Sequence, residues 1–190
     1  MGEKESASEV NRRRGRPRVS SRNAVVEAAC ELYLERGFPQ TSISDIAQRV
    51  GISRSSFFNY AGTKSDLLWA GFDERLQLLD EALLSSSVPD AMLAFADRYA
   101  PDEISLVYAN AEAMDISDEL EQTASVRAAR IARAAGAALR RGGADALTAS
   151  VLGGAYASAL MVSLSTWALA GAGSRSFSAI LADALEVLGP

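Results

Sequence analysis

Apolar positions recur at steps of three and four along most of the chain, and no alternating run bounded by turn pairs marks a strand. The pattern predicts an all-α protein. From Ser20 the first stripe is Val25, Ala28, Ala29, Leu32 and Tyr33, stopped by Gly37, a residue suited to a left-handed helix cap. Three helix starts with capping chemistry follow. Ser42 stands three residues before Asp45, Ser53 opens the run Arg54 to Tyr60, and Thr63 stands three before Asp66. From Thr63 a long helix is expected to about Leu84. Further helices are expected at about 89–99, 102–113, 117–141, 144–170 and 176–188, parted by Pro89, Pro101, Ile116-Ser117, Gly142-Gly143 and the stretch 171–174.

Within this pattern, residues 43–60 (ISDIAQRVGISRSSFFNY) have the spacing of a helix-turn-helix. Ala47 is the small residue where two helices approach, and Gly51, four residues on, turns the chain. Ile46, Val50, Ile52, Phe57 and Tyr60 occupy the inward offsets. Arg54, Ser55, Ser56 and Asn59 are left on the outer face of the second helix, as donors and acceptors at a spacing that enters a major groove. An ordinary helical hairpin would share the glycine turn, but it would not account for the charge of this part of the chain.

That charge is unevenly distributed. The net value of −5 over 190 residues conceals 11 Lys and Arg against 7 Asp and Glu in residues 1–64, and 8 against 17 in the remainder. A basic first part fits a polyanion such as nucleic acid, and an acidic, apolar body fits a separate task. Three parts are therefore expected: a flexible basic arm at 1–19, a head at 20–64 and a body at 65–190. Within the arm, Arg14-Gly15-Arg16-Pro17-Arg18 is thin and arginine-flanked. It fits either insertion of Arg14, Arg16 and Arg18 into an A·T minor groove or a polybasic tail attracted to phosphate.

Composition narrows the chemistry. The absence of histidine excludes His-dependent triads and His-bearing zinc sites, and one cysteine, Cys30, excludes an intrachain disulfide and a thiolate cluster. No enzyme, cofactor or metal site is expected. No apolar stretch near Met1 suggests a secretory signal, so a cytoplasmic location is expected. Residues 146–173 carry no charge over 28 positions, longer than the ~20 residues that span a bilayer. Six hydroxyl residues, many Ala and Gly, and no flanking Lys/Arg cluster favour a buried helix over a membrane-anchored sensor that uses 146–173 as a span.

From about Ser21 to Leu68 the chain resembles the TetR family of bacterial transcriptional regulators. The resemblance rests on Gly37-Phe38, Thr41-Ser42, Asp45-Ile46-Ala47, Gly51-Ile52-Ser53-Arg54 and Thr63-Lys64-Ser65-Asp66-Leu67-Leu68. It implies that residues 53–60 form the recognition helix, that Thr41 and Ser42 touch phosphate, and that Lys64 grips phosphate at the start of the fourth helix. A lysine at a helix N-terminus suits an anion independently, although a solvated surface lysine would read alike. Two positions depart from the pattern. Phe58 stands where the family usually has Tyr, which leaves Tyr60 to touch backbone, and Ala61 stands where a large aromatic is favoured, a space the Phe57-Phe58 pair is expected to fill.

The resemblance also implies a homodimer joined through the last two helices and a small-molecule effector in a cavity of the body. Gly154 and Ser158 are small residues at a four-residue step, and Ile180, Leu181, Leu185 and Leu188 form a stripe, so these are the interface candidates. Pocket candidates are Trp69, Phe72, Phe95, Tyr99, Tyr108, Tyr156, Met161 and Trp167, each of which would equally serve as core. Glu112 could meet a cationic ligand or lie in solvent. The implied protein is a regulator that binds a double-stranded DNA operator, a repressor that leaves it when the effector binds.

Overall fold

The computed structural model describes residues 22–171 and 175–189; Arg14, Arg16 and Arg18, and with them both readings of the arm, lie outside the described residues. Among those described there are nine helices and no strand. They are α1 (Arg22–Arg36), α2 (Ile43–Val50), α3 (Arg54–Phe57), α4 (Asp66–Ala82), α5 (Val88–Asp97), α6 (Glu103–Ala109), α7 (Ser117–Arg141), α8 (Ala146–Ala170) and α9 (Phe177–Glu186).

Local chemistry accounts for most of the helix ends. Ser42 caps α2 in a reciprocal box with Asp45, and Gly51 closes it at φ 79°, its N–H donating to the carbonyls of Ala47 and Gln48. The box expected at Thr63 is also present, with the Asp66 N–H donating to Thr63 Oγ1 at 3.1 Å and the Thr63 N–H to Asp66 Oδ2 at 3.0 Å. Regular helix nevertheless begins only at Asp66. The expected helix over 102–113 is shorter than its pattern. The Asn110 side chain donates to the Leu106 carbonyl at 2.8 Å, and Asp115 turns the chain at φ 50°, so α6 ends at Ala109.

One apolar core runs from Val25 in α1 to Leu185 in α9, so the head and body share packing across residue 64. The long helix α4 lies between them and is tied to α7 by polar contacts. Arg127 donates to both carboxylate oxygens of Asp73, at 2.7 and 3.2 Å, and to the Thr123 carbonyl at 3.2 Å. Its guanidinium also lies 5.0 Å from the Trp69 ring centre, and Arg130 pairs with Asp80 at 2.7 Å.

The helices α7 and α8 approach closely at glycine. A Cβ on Gly153 would lie 2.5 Å from the Ala132 carbonyl oxygen and 3.0 Å from the Gly136 nitrogen, while one on Gly136 would lie 2.9 Å from the Ala149 oxygen. Gly154, expected at a close approach, meets nothing within 4 Å inside the protomer. The helix α8 is two-faced. Ala149, Gly153, Ala157, Leu160, Leu164 and Ala168 are buried, whereas Leu147, Val151, Val162 and Leu169 are exposed. It is long and apolar enough to span a bilayer, but it packs on α6, α7 and α9. This packing does not favour a membrane span.

Candidate nucleic-acid interface

The head is a three-helix unit whose second and third helices meet at Gly51. Ion pairs fix α2 on α1: Arg49 to Glu35 at 2.6 Å and to Glu31 at 3.2 Å, and Arg36 to Asp45 at 3.3 Å. Ser42 and Arg36 hold the half-buried Asp45 carboxyl below the usual carboxylate range, the Ser42 hydroxyl contributing most. Ile46, Ala47 and Phe57 fill the interior. Arg54, Ser55 and Asn59 are exposed and Ser56 is half-buried, so the polar face expected on this segment is outward. Regular helix covers only Arg54–Phe57; residues 58–60 continue as a turn, with the Tyr60 N–H donating to the Phe57 carbonyl.

Thr41, Ser42, Arg54 and Lys64 line one concavity of about 660 Å³, together with the first residues of α2. The side chains of two of them turn inward. Thr41 is buried, and its hydroxyl donates to the Gly37 carbonyl at 2.8 Å. Gly37 directly follows α1, so its carbonyl has no helical donor, and Thr41 supplies one. Lys64 donates to the Phe38 and Thr41 carbonyls at 2.6 and 3.0 Å, its Nζ 3.8 Å from the Phe38 ring centre. It therefore fastens the turn after α1 to the approach of α4, in place of the outward reach expected of it. Partial burial lowers its pKa, opposed by the Glu119 carboxylate. Ser42 stays exposed, with its hydroxyl engaged by Asp45.

The aromatic pair splits. Phe57 is fully buried, while Phe58 is 51% exposed and touches Phe57 edge-on, so it does not fill the space beside Ala61. Its exposure was missed from sequence, where adjacent aromatics read as one core pair. Tyr60 lies on another side, half-buried beside Arg22, Ala70 and Glu74.

Residues 25–70 match the family model described as bacterial regulatory proteins, tetR family. These residues, the head of the chain, are thus of the tetR type. Among curated relatives, it is 35% identical over 85 residues to the HTH-type transcriptional repressor Rv3405c of Mycobacterium tuberculosis, covering 45% of this chain and 44% of that one. It is 29% identical over 94 residues to the repressor ComR of Escherichia coli, covering 48% and 45%. The chain thus matches less than half the length of these relatives. Among solved structures, the Thermus thermophilus FadR, a TetR-family repressor in complex with lauroyl-CoA, superposes with a TM-score of 0.51 at 21% identity, covering 88% of this chain and 93% of that one. The fold of the described residues is therefore TetR-like.

Behind the TetR head, the aromatics proposed as pocket lining are mostly core. Trp69, Phe72 and Phe95 are buried and pack edge-on along a chain of rings, Met161 is buried, and Tyr108 and Tyr156 are half-buried. Edge-on ring packing fills the volume a ligand would need. Tyr99 and Trp167 differ. They face a cleft of about 1010 Å³ bounded by α1, the α5–α6 corner, α6, the end of α8 and the start of α9. Glu112 lies exposed at a separate, smaller cleft beside Tyr108.

The expected interface stripe also divides. Leu181 and Leu185 are buried within the protomer, because α9 packs on α5 and α8 with that side. Ile180 and Leu188 are half-buried, and Gly154 and Ser158 are exposed beside Leu147, Val151, Val162 and Leu169.

Proposed function

We propose that this protein is a homodimeric, cytoplasmic transcriptional repressor that binds a double-stranded DNA operator and leaves it when a small molecule binds the body. The observation that carries the reading is the outward display of Arg54, Ser55 and Asn59 on a segment anchored by buried Phe57. Side chains of this type read base edges in a major groove, while Ser42 and the first amides of α2 hold a phosphate. The repressor sign is taken from relatives named as repressors.

A dimer supplies two such heads, which must lie about 34–36 Å apart to reach successive major grooves. The exposed residues Leu147, Val151, Gly154, Ser158 and Val162 follow steps of three and four along α8, with Leu169 seven residues on, and two copies of this stripe would form an apolar seam. Contacts between body and head offer a route for the effector. The Phe38 N–H donates to the Met114 carbonyl at 2.6 Å, so the turn after α6 touches the head directly.

Enrichment of genomic DNA fragments on the purified protein, followed by footprinting, tests the reading. The expected result is a pseudo-palindromic site with half-sites one helical turn apart. Retention of all fragments alike, or of none, would contradict it.

A further inference from the structure

The cleft between head and body has a marked chemical character. Its floor is aromatic: Trp167 stacks on Phe177 with ring centres 5.6 Å apart, and Tyr99 meets both rings edge-on at 5.8 and 5.4 Å. Its walls are acidic. Five lining residues are Asp or Glu (Glu27, Glu31, Asp97, Asp102 and Glu103), against a single Arg, Arg175, which pairs with Asp183 at 2.5 Å. Glu31 is compensated by Arg49 and Asp102 by Arg75, whereas Glu27, Asp97 and Glu103 form no ion pair among the described residues.

A guanidinium of the chain already occupies the back of this wall. Arg75 of α4 donates to Asp102 at 2.7 Å and lies 4.4 Å from the Tyr99 ring centre, and Tyr99 donates its hydroxyl to the same carboxylate at 2.6 Å. Asp102 and Tyr99 thus hold a cation from the α4 side while also lining the cleft.

We propose that the effector is an organic cation with a flat apolar body, taken into this cleft between α1 and α6; the proposal rests on the repressor reading above. The flat body lies against Trp167, Phe177 and Tyr99, and the positive charge meets Glu27, Asp97 and Glu103. Aromatic rings and carboxylates that lack an ion-pair partner together favour such a cation over an isosteric neutral or anionic molecule. The volume is that of a small-molecule site, about 300–1,000 Å³. The position explains how binding reaches DNA. One wall is α1 of the head, a second is α6, whose following turn accepts the Phe38 N–H at the Met114 carbonyl, and the third reaches α4 through Asp102 and Arg75. A ligand that displaces α6 or draws Asp102 from Arg75 changes the angle of the head on the body.

The test uses three bicyclic probes of one shape at pH 7.5: 1-methylquinolinium, quinoline and 1-naphthoate. Calorimetric titration of the full chain should show 1-methylquinolinium binding at least tenfold more tightly than the other two. Glu103→Gln and Asp97→Asn should each weaken it severalfold, while Glu81→Gln on the far part of α4 leaves it unchanged; thermal melts establish that each variant is folded. Addition of 1-methylquinolinium should release the protein from DNA that it retains. Equal or tighter binding of 1-naphthoate, no saturable binding, or binding without release would overturn the proposal. If the protein retains no DNA before any probe is added, the repressor reading fails, and the calorimetric comparison still decides whether the cleft selects cations.

Discussion

Replacement of Arg127 by Met isolates the polar tie between α4 and α7. The Arg127 side chain is 9% exposed and makes two charge-assisted hydrogen bonds to Asp73. Such bonds contribute roughly 1.5–3 kcal/mol each in net terms, so their simple total is about 3–6 kcal/mol. Asp73 is a third exposed, however, and regains water once the arginine is gone. Methionine also keeps the apolar stem against Trp69. The expected destabilisation is therefore about 2 kcal/mol, or a drop of roughly 4–8 °C in Tm for a chain of this size. Urea denaturation of wild type, Arg127→Met, Asp73→Asn and the double variant measures it. A coupling of about 1 kcal/mol or more is expected between the two single changes. Single effects that add within about 0.5 kcal/mol would refute the pairing as the source of the stability.

Further expectations follow from other contacts. Gly153→Ala should destabilise by about 1–3 kcal/mol, because its Cβ meets backbone of α7, while Gly154→Ala leaves the protomer unchanged; thermal melts of both decide, and equal effects would contradict the packing. Lys64→Ala should lower head stability by about 2 kcal/mol in denaturant titrations, through lost bonds to the Phe38 and Thr41 carbonyls, and leave the salt slope of DNA binding nearly unchanged. A slope reduced by about one unit would restore a phosphate contact. Burial pushes the Cys30 thiol up from 9.0 to about 12, so folding excludes its thiolate. Its contribution to stability is complete below pH 9 and is lost as pH rises toward 12, and iodoacetamide at pH 8 should label the folded protein far more slowly than the unfolded chain, as mass spectrometry would record.

The features legible in the sequence were those fixed by neighbours in the chain. The box between Ser42 and Asp45, the glycine turn at Gly51 and the outward run from Arg54 to Asn59 each depend on residues within a few positions. Side-chain direction across longer separations was not legible. Thr41 and Lys64 carry the right groups for phosphate, yet carbonyls left by the end of α1 and by the turn after it attract both inward. Gly153 and Gly154 differ by one step of about 100° around α8, and only the position of α7 decides which one faces a neighbour. The same holds for Leu181 and Leu185, claimed by α5 and α8 inside the protomer. The cleft was invisible because its walls come from α1, α6, the end of α8 and the start of α9, far apart in sequence.

The central claim is that the outward face of residues 54–59 reads an operator. Titration of wild type and Arg54→Ala against the enriched operator and a scrambled duplex, at one fixed salt concentration, tests it most directly. The account predicts that the variant loses about 1–3 kcal/mol on the operator, a fold of about 5–150, and much less on the scrambled duplex, with its thermal melt unchanged. Equal operator affinity for the two proteins, or an equal loss on both duplexes, would contradict it.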